Sequence, residues 1–509
     1  MMAAVQKAIA TAEEQPLLPT PTTPTSTESE PFSAFTPRQK RWILFLTGFA
    51  GAFSPLSSFI FFPVIVPIAR SLGVTVGLLN LAITSYMVVS GVVPAILGSA
   101  ADKFGRRPAY IVALCVYFAA NVGLAVQNSY PALLVLRMVQ SAGVSGTISL
   151  GYGVVSDIAT PSERGSYVGI VAIGPNVSPP LGPVIGGLLA SALGWRWIFW
   201  FLVILGGICL LMILLALPET ARAIVGNGSI PATGVNQTLL SVLTPTRLGG
   251  EDRPARDAKT GSRLASLPNP LASLKLLLEK DLFILLLCNG IFYATGACVQ
   301  ASLSTQFIKV YGYKELQAGL IYIPFGLGGL ANVYLWGKVL DFEYAQVARA
   351  HGFDLDEVKT KLVDDFPIEL ARLRSMVYLI FPTVAAMAGY GWAVHKAAHP
   401  AIPLVLQGIL GLTLSAGFVS FGTLNTDLNP GRSSTAAASG NIVRCSLAAA
   451  GTAVLQPIID AVGAGWCFTI FGLLLAACGP MLLFQIRVGP KWRMLRRSKE
   501  AAESDNASD

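Results

Sequence analysis

Twelve runs of some twenty apolar residues, separated by short polar breaks, follow one another along the chain. The first six occupy about 42–67, 78–97, 108–127, 132–153, 166–190 and 196–217; the second six occupy about 282–306, 317–337, 375–394, 402–424, 434–458 and 463–486. Each is long enough, as a helix rising about 1.5 Å per residue, to cross about 30 Å of hydrocarbon. The pattern predicts an all-α polytopic membrane protein, with twelve transmembrane helices in two pseudo-symmetric six-helix bundles. Its breaks divide the chain into a tail at 1–40, a bundle at 41–217, a central loop at 218–281, a second bundle at 282–486 and a tail at 487–509. Within the second bundle, a polar insert at 341–374 carries two short charged stretches that read as amphipathic helices on the membrane surface.

Composition supports the membrane reading: 53% of the 509 residues are hydrophobic and 13% charged, against about 25% charged in ordinary soluble domains. The net charge of +8 is dispersed over short loops, which excludes a nucleic-acid surface, since that requires a folded basic face. The seven cysteines all fall in apolar runs without paired spacing, so neither a metal site nor a disulfide framework is expected. Neither a Gly-rich phosphate loop nor a nucleophile elbow occurs, so the chain reads as no enzyme, with no cofactor and with an energy source other than nucleotide. With both ends on one side, only five of the 36 Lys and Arg fall in the opposite loops and two fall inside spans. That bias places both termini in the cytoplasm. Residues 1–35 are rich in Pro, Thr, Ser and Glu and read as a disordered tail, in which Glu13 to Leu18 resembles an acidic dileucine sorting signal.

The break between the second and third runs is the most structured of the loops. Gly98-Ser-Ala-Ala-Asp102-Lys-Phe-Gly105-Arg106-Arg107 has a glycine at each end, an acid in the middle and bases after it. Gly98 suits a close approach of helix ends, and Asp102 is placed to hold Arg106 or Arg107, or to face the positive end of a neighbouring helix. The five residues Gly98, Asp102, Gly105, Arg106 and Arg107 are therefore expected to form a conformational latch. Gly337 and Asp341 repeat the spacing at the matching place in the second half, as two related halves would.

Two arginines, Arg137 and Arg444, fall inside apolar runs, where a charge is costly and points to function. Each has an amide one turn earlier or later, Gln140 for Arg137 and Asn441 for Arg444, able to share its hydrogen bonds. No span carries an acid near its middle. The nearest acids, Asp157 among them, sit at the membrane edge, which leaves a facilitator or an anion-linked carrier open beside proton coupling.

These residues resemble those of the major facilitator superfamily, and more closely a fungal family of twelve-spanning drug:proton antiporters in its quinidine-resistance branch. The loop from Gly98 to Arg107 is similar to the superfamily's signature between helices 2 and 3. The Arg137-Met-Val-Gln140 segment is similar to a helix 4 motif, with Ser141 in place of the usual glycine. Gly174, Gly182, Pro183, Gly186 and Gly187, with Pro179, resemble the antiporter signature of helix 5; three prolines there free carbonyls and the glycines allow close helix contact. Pro218-Glu219-Thr220 and Asn441-Ile-Val-Arg444-Cys445 resemble markers of the branch.

The resemblance implies a secondary transporter that exports drugs, toxins or small organic metabolites by alternating access as a proton antiporter. A dedicated carrier of one metabolite, such as a secondary metabolite, an organic acid or a polyamine, is the alternative. It also implies a chamber lined by helices 1, 4, 7 and 10, with Ser57, Phe61, Tyr152, Asn289, Tyr293, Gln300 and Gln407 as candidate substrate contacts. So apolar a lining suits an amphiphilic molecule better than a sugar, and two arginines without a buried acid suit an anionic one. The expected setting is a monomer in the lipid bilayer of the plasma membrane, or of a vacuolar or endosomal membrane, with a small organic substrate and protons as partners.

Overall fold

The computed structural model describes residues 32–160, 163–238, 276–277, 279–353, 366–429 and 433–508. Ten spanning helices run in order: α1 Pro37–Leu72, α2 Val76–Phe104, α3 Arg106–Val126, α4 Tyr130–Ile158, α5 Arg164–Leu193, α6 Arg196–Ala216, α7 Lys280–Tyr311, α8 Glu315–Ala350, α9 Ile368–His395 and α10 Ala401–Asp427. A last apolar stretch, Ala436–Ser498, breaks at Gly463, whose φ of 79° lies in the left-handed region. The break yields α11 at 433–462 and α12 at 464–508, and completes twelve spans in two sets of six. An even number of crossings puts the start of α1 and the end of α12 on the same side, called the terminal side below.

Helices suit this solvent because every backbone polar group is satisfied within the segment. The exceptions are informative. Pro55, Pro94, Pro382 and Pro457 lie inside helices, and α5 alone contains Pro175, Pro179, Pro180 and Pro183. Each removes one N–H and frees a carbonyl four residues earlier. Within the N-terminal half α1 packs along α5, and α3 lies against α4 and α6; within the C-terminal half α7 and α9 pack on the α11–α12 segment and α8 on α10. The halves meet where α2 crosses α11 and where α5 meets α8.

Three boundaries differ from the sequence expectation for one reason: apolar runs measure the membrane's thickness and not the helix. The 341–374 insert does not form separate surface helices in its described parts, because α8 continues through Asp341 to Ala350 and α9 begins at Ile368. Asp341 therefore lies within a helix, and the Gly337–Asp341 repeat is no turn. Residues 487–508 continue α12 and bury Arg493 and Arg496, so they are not a mere tail. Residues 218–238, the start of the central loop, pack onto the end of α3 through Glu219 and Val235. The sorting-like segment from Glu13 to Leu18 and most of the central loop lie outside the described residues.

Candidate functional site: a central chamber with two arginines and a latch at its rim

Arg137 on α4 is 1% exposed and has no acidic partner among the described residues. Its guanidinium lies 4.4 Å from the ring centres of both Phe61 and Tyr86 and donates to the carbonyl of Ser57 at 3.1 Å and to Oε1 of Gln140 at 2.6 Å. The network runs on through neutral groups. Gln140 donates to Asn121 at 2.7 Å, Asn121 to the carbonyl of Tyr117 at 2.8 Å, and the Tyr117 hydroxyl shares a 2.7 Å hydrogen bond with Ser57. Nε and Nη2 of Arg137 have no hydrogen-bond partner among the described residues. Cation–π contact and carbonyl dipoles hold the charge in place of a carboxylate, at a cost that packing alone does not explain. Ser141, where the resemblance leads one to expect glycine, ties α4 to α2 by donating to the carbonyl of Tyr86 at 2.8 Å.

Arg444 on α11 is the partly buried counterpart. Its guanidinium lies 5.1 Å from the Tyr293 ring centre and 4.7 Å from that of Phe418, and its Nη2 donates to Asn441 at 2.8 Å. Tyr293 of α7 and Phe418 of α10, which flank this cation, keep 39% and 48% of their surface exposed, and Tyr152 of α4 in the opposite half keeps 43%. Tyr86 covers Arg137 within the N-terminal half, and Tyr293 covers Arg444 within the C-terminal half.

The other sequence candidates separate by depth. Ser57 and Phe61 belong to the Arg137 network. Asn289 is 5% exposed with an unpartnered Oδ1. Gln300 and Gln407, 3% and 0% exposed, lie inside the C-terminal half, while Tyr152 and Tyr293 stand at the chamber.

The α5 residues divide between two neighbours. Cβ atoms built at Gly174 and Gly186 would come within 2.3 and 2.4 Å of the carbonyls of Gly48 and Ile60, and one at Gly182 within 3.1 Å of the Ile60 nitrogen, so these three let α5 lie against α1. A Cβ at Gly187 would be 2.6 Å from the Glu315 carbonyl and 3.0 Å from Gly319; one at Gly319 would be 2.5 Å from the Pro183 carbonyl; and one at Gly326 would meet the Pro180 ring. Pro180, Pro183 and Gly187 thus close α5 on α8 at the end away from the termini. Phe62 stacks on Tyr322 nearby, 6.1 Å between centres, and Ser304 donates to the Phe62 carbonyl at 2.6 Å. Outside this seal lies a hollow of about 270 Å³ beside Arg70, Tyr313, Lys314 and Glu315.

On the terminal side the latch residues come together around Arg106. It pairs with Asp102 at 2.6 Å and with Asp157 at 3.0 Å, joining the last turns of α2 and α4. Asp157 thus joins the Arg106 ion-pair cluster and not the Arg137 network. Arg107 does not pair with Asp102. It donates instead to the carbonyls of Leu214 and Leu217 at 2.7 and 3.0 Å, and to that of Val235, covering the carbonyl end of α6. Glu219 does the reverse: it accepts the first N–H groups of α3, from Arg106 at 2.9 Å and Arg107 at 3.2 Å, and those of Thr220 and Ala221 at 2.9 Å. The ends of α3 and α6 cap each other with opposite charges. Gly105 has φ 109°, and a Cβ there would lie 2.3 Å from Glu219 Oε2, so glycine is required twice over. Gly98, by contrast, brings no helices together, since a Cβ there would meet nothing within 4 Å.

Sequence reasoning named Glu219 only within a branch marker and gave it no place at Arg106; its signal is an acid just past the end of α6, legible only once α6 is known to end beside the start of α3. A second charged cluster was missed on the same side of the other half. Arg496 of α12 lies 3.1 Å from Asp281 of α7 and donates to the Leu428 carbonyl at 2.7 Å and to Asn429 at 3.2 Å. Arg493 lies 3.5 Å from Glu369 of α9 and donates to the Phe366 carbonyl at 2.9 Å, and Arg372 lies 3.0 Å from Asp427 of α10.

Two six-helix halves, packed on each other at the end away from the termini and each tied by charged clusters at the other, make an all-α membrane protein. The family model of the Major Facilitator Superfamily matches residues 47–350, and the chain belongs to that superfamily. It is 39% identical to the MFS-type transporter phiD of a fungal species, over 94% of this chain and 72% of that protein. It is 37% identical to Citrate exporter 1 of Aspergillus niger, over 94% of this chain and 92% of that protein. Among solved structures it resembles the human organic anion transporter MFSD10, with a TM-score of 0.56 at 17% identity, covering 88% of this chain and 100% of that one.

Proposed function

We propose that this chain exports a small organic anion with an apolar or aromatic body, by alternating access of the chamber between its halves. One observation carries the reading: the Arg444 guanidinium stands among partly exposed aromatic rings with no carboxylate partner among the described residues. A cation in so apolar a place favours an incoming carboxylate strongly, because the site has little water to replace it. Buried Arg137 adds positive potential from behind Tyr86 without touching a ligand. The name of the Aspergillus niger relative points to an organic acid; the rings around Arg444 add a preference for an apolar body over a tricarboxylate.

Protons drive the export in this reading, by exchange, as the α5 signature's resemblance to antiporters implies. The chain works as a monomer in the plasma membrane with both termini in the cytoplasm, the chamber in the present state opening towards the cytoplasm. A broad drug exporter is the second reading, favoured by the same exposed aromatic walls.

The test is counterflow and gradient-driven transport in proteoliposomes with labelled 4-phenylbutyrate, labelled citrate and a labelled organic cation. The wild-type chain is expected to move 4-phenylbutyrate fastest and to respond to an imposed pH gradient. Arg444→Gln is expected to lower that rate by about tenfold or more, the factor of one charge-assisted hydrogen bond. Unchanged transport by Arg444→Gln at equal protein amount, or preference for the cation, would overturn the reading.

A further inference from the structure

The crossing of α2 and α11 joins the halves through hydrogen bonds as well as packing. Pro94 lies inside α2 and has no N–H, so the carbonyl of Ser90, four residues earlier, lacks its donor within the helix. Asn441 on α11 supplies one, its Nδ2 donating to the Ser90 carbonyl at 2.9 Å, with that of Gly91 at 3.5 Å. The other end of the same amide accepts Nη2 of Arg444 at 2.8 Å. The approach depends on Gly91, where a Cβ would sit 3.0 Å from Cβ of Cys445 and 3.8 Å from Cα of Ile442. One planar side chain thus connects the partly buried Arg444 cation in one half to a proline-freed carbonyl in the other.

We propose that Asn441 is a positioning residue that reports occupancy of Arg444 to the α2–α11 crossing. In the empty carrier the guanidinium polarises the amide oxygen, which strengthens donation from Nδ2 to Ser90, as chained hydrogen bonds do. An anion that draws Arg444 towards itself removes that polarisation and loosens the tie between halves. Substrate then differs in its interaction with the two orientations, the condition for a ligand to shift a conformational equilibrium. The inference rests on Arg444 being the anion contact. The same crossing holds an internal control: Thr84 shares a 3.0 Å hydrogen bond with Thr452 and donates to the Ala449 carbonyl at 3.3 Å, with no arginine attached.

The test uses the full chain in lipid nanodiscs, with energy-transfer labels at position 103, near the terminal-side end of α2, and position 338, in the terminal-side half of α8. Two variants break the bridge at opposite ends. Pro94→Ala gives the Ser90 carbonyl a donor within α2 and leaves Asn441 and Arg444 untouched; Asn441→Leu removes the amide. Both are expected to raise the ligand-free population of the second orientation by roughly threefold to tenfold, the factor one hydrogen bond supplies. Both should also shrink the change produced by saturating 4-phenylbutyrate, whereas Thr84→Val should leave that change at the wild-type size. A wild-type response reproduced in full by both bridge variants would overturn the coupling alone. A wild-type chain that responds to neither 4-phenylbutyrate nor citrate would instead overturn the anion reading of Arg444, so the two failures are distinguishable.

Discussion

On the terminal side, the N-terminal half ties its helix ends around Arg106 and Glu219, and the C-terminal half ties its own around Arg372, Arg493 and Arg496. The two sets differ in how wet they are. In the first, the Asp102 side chain is 62% exposed while Arg106 and Asp157 are 10% and 11% exposed. In the second, Glu369 and Arg493 are 0% and 3% exposed, Asp281 and Arg496 are 2% and 8% exposed, and the Arg372–Asp427 pair, at 16% and 24%, is its wettest member, well short of Asp102. An exposed pair exchanges partners at little cost because water replaces what is lost; a buried one does not. The N-terminal set therefore has the character of a latch with one movable arm, and the C-terminal set that of a staple through which α12 fixes α7, α9 and α10.

The largest expected effect follows from the staple. Arg496→Ala leaves Asp281 buried without its cation, a change that costs about 3–5 kcal/mol when one partner of a buried pair is removed. The detergent-purified variant should show a marked loss of thermal stability, and adding Asp281→Asn should restore part of it by removing the stranded charge. A loss no larger than that of a surface pair would erase the contrast between the halves.

Glu219→Ala comes next. Glu219 is 2% exposed and accepts four backbone N–H groups, so its removal should cost about 1.5–3 kcal/mol, the worth of hydrogen bonding to a charged group. Glu219→Gln, which keeps one acceptor oxygen, should fall between the variant and wild type in the same melting measurement. Equal stability of all three would mean that the mutual capping of α3 and α6 contributes nothing.

The difference between the two sets also explains what the sequence made legible. Asp102, Gly105, Arg106 and Arg107 lie within six consecutive residues, so a local pattern announces them. Asp281, Glu369, Asp427, Arg493 and Arg496 come from four helices, and only tertiary structure assembles them. A faint signal existed, since Gln485, Gly489, Arg493 and Arg496 recur on one helical face from the end of the last apolar run onward. Arg137 and Arg444 were legible as charges inside apolar runs, and their pairing with Gln140 and Asn441 followed from helical spacing. That Arg137 is sealed and Arg444 only partly buried was not legible, because it depends on Phe61, Tyr86, Tyr293 and Phe418 arriving from four other helices.

The smallest effect on stability is expected at the latch's exposed arm, and it is the most telling about mechanism. Asp102 contacts Arg106 across the break at Gly105 and is mostly in water, so Asp102→Asn should change stability by no more than about 1 kcal/mol. Arg106 keeps Asp157, and the ends of α3 and α6 stay capped, so the terminal-side structure should survive. If Asp102 exchanges partners as the halves rock, its charge acts on the orientation equilibrium and not on the fold. The initial efflux rate at equal surface abundance should then fall severalfold while the melting temperature stays within the error of wild type. A normal rate would mean that Asp102 decorates the loop and that Arg106 with Asp157 and Glu219 forms a fixed joint, as static as the one in the other half.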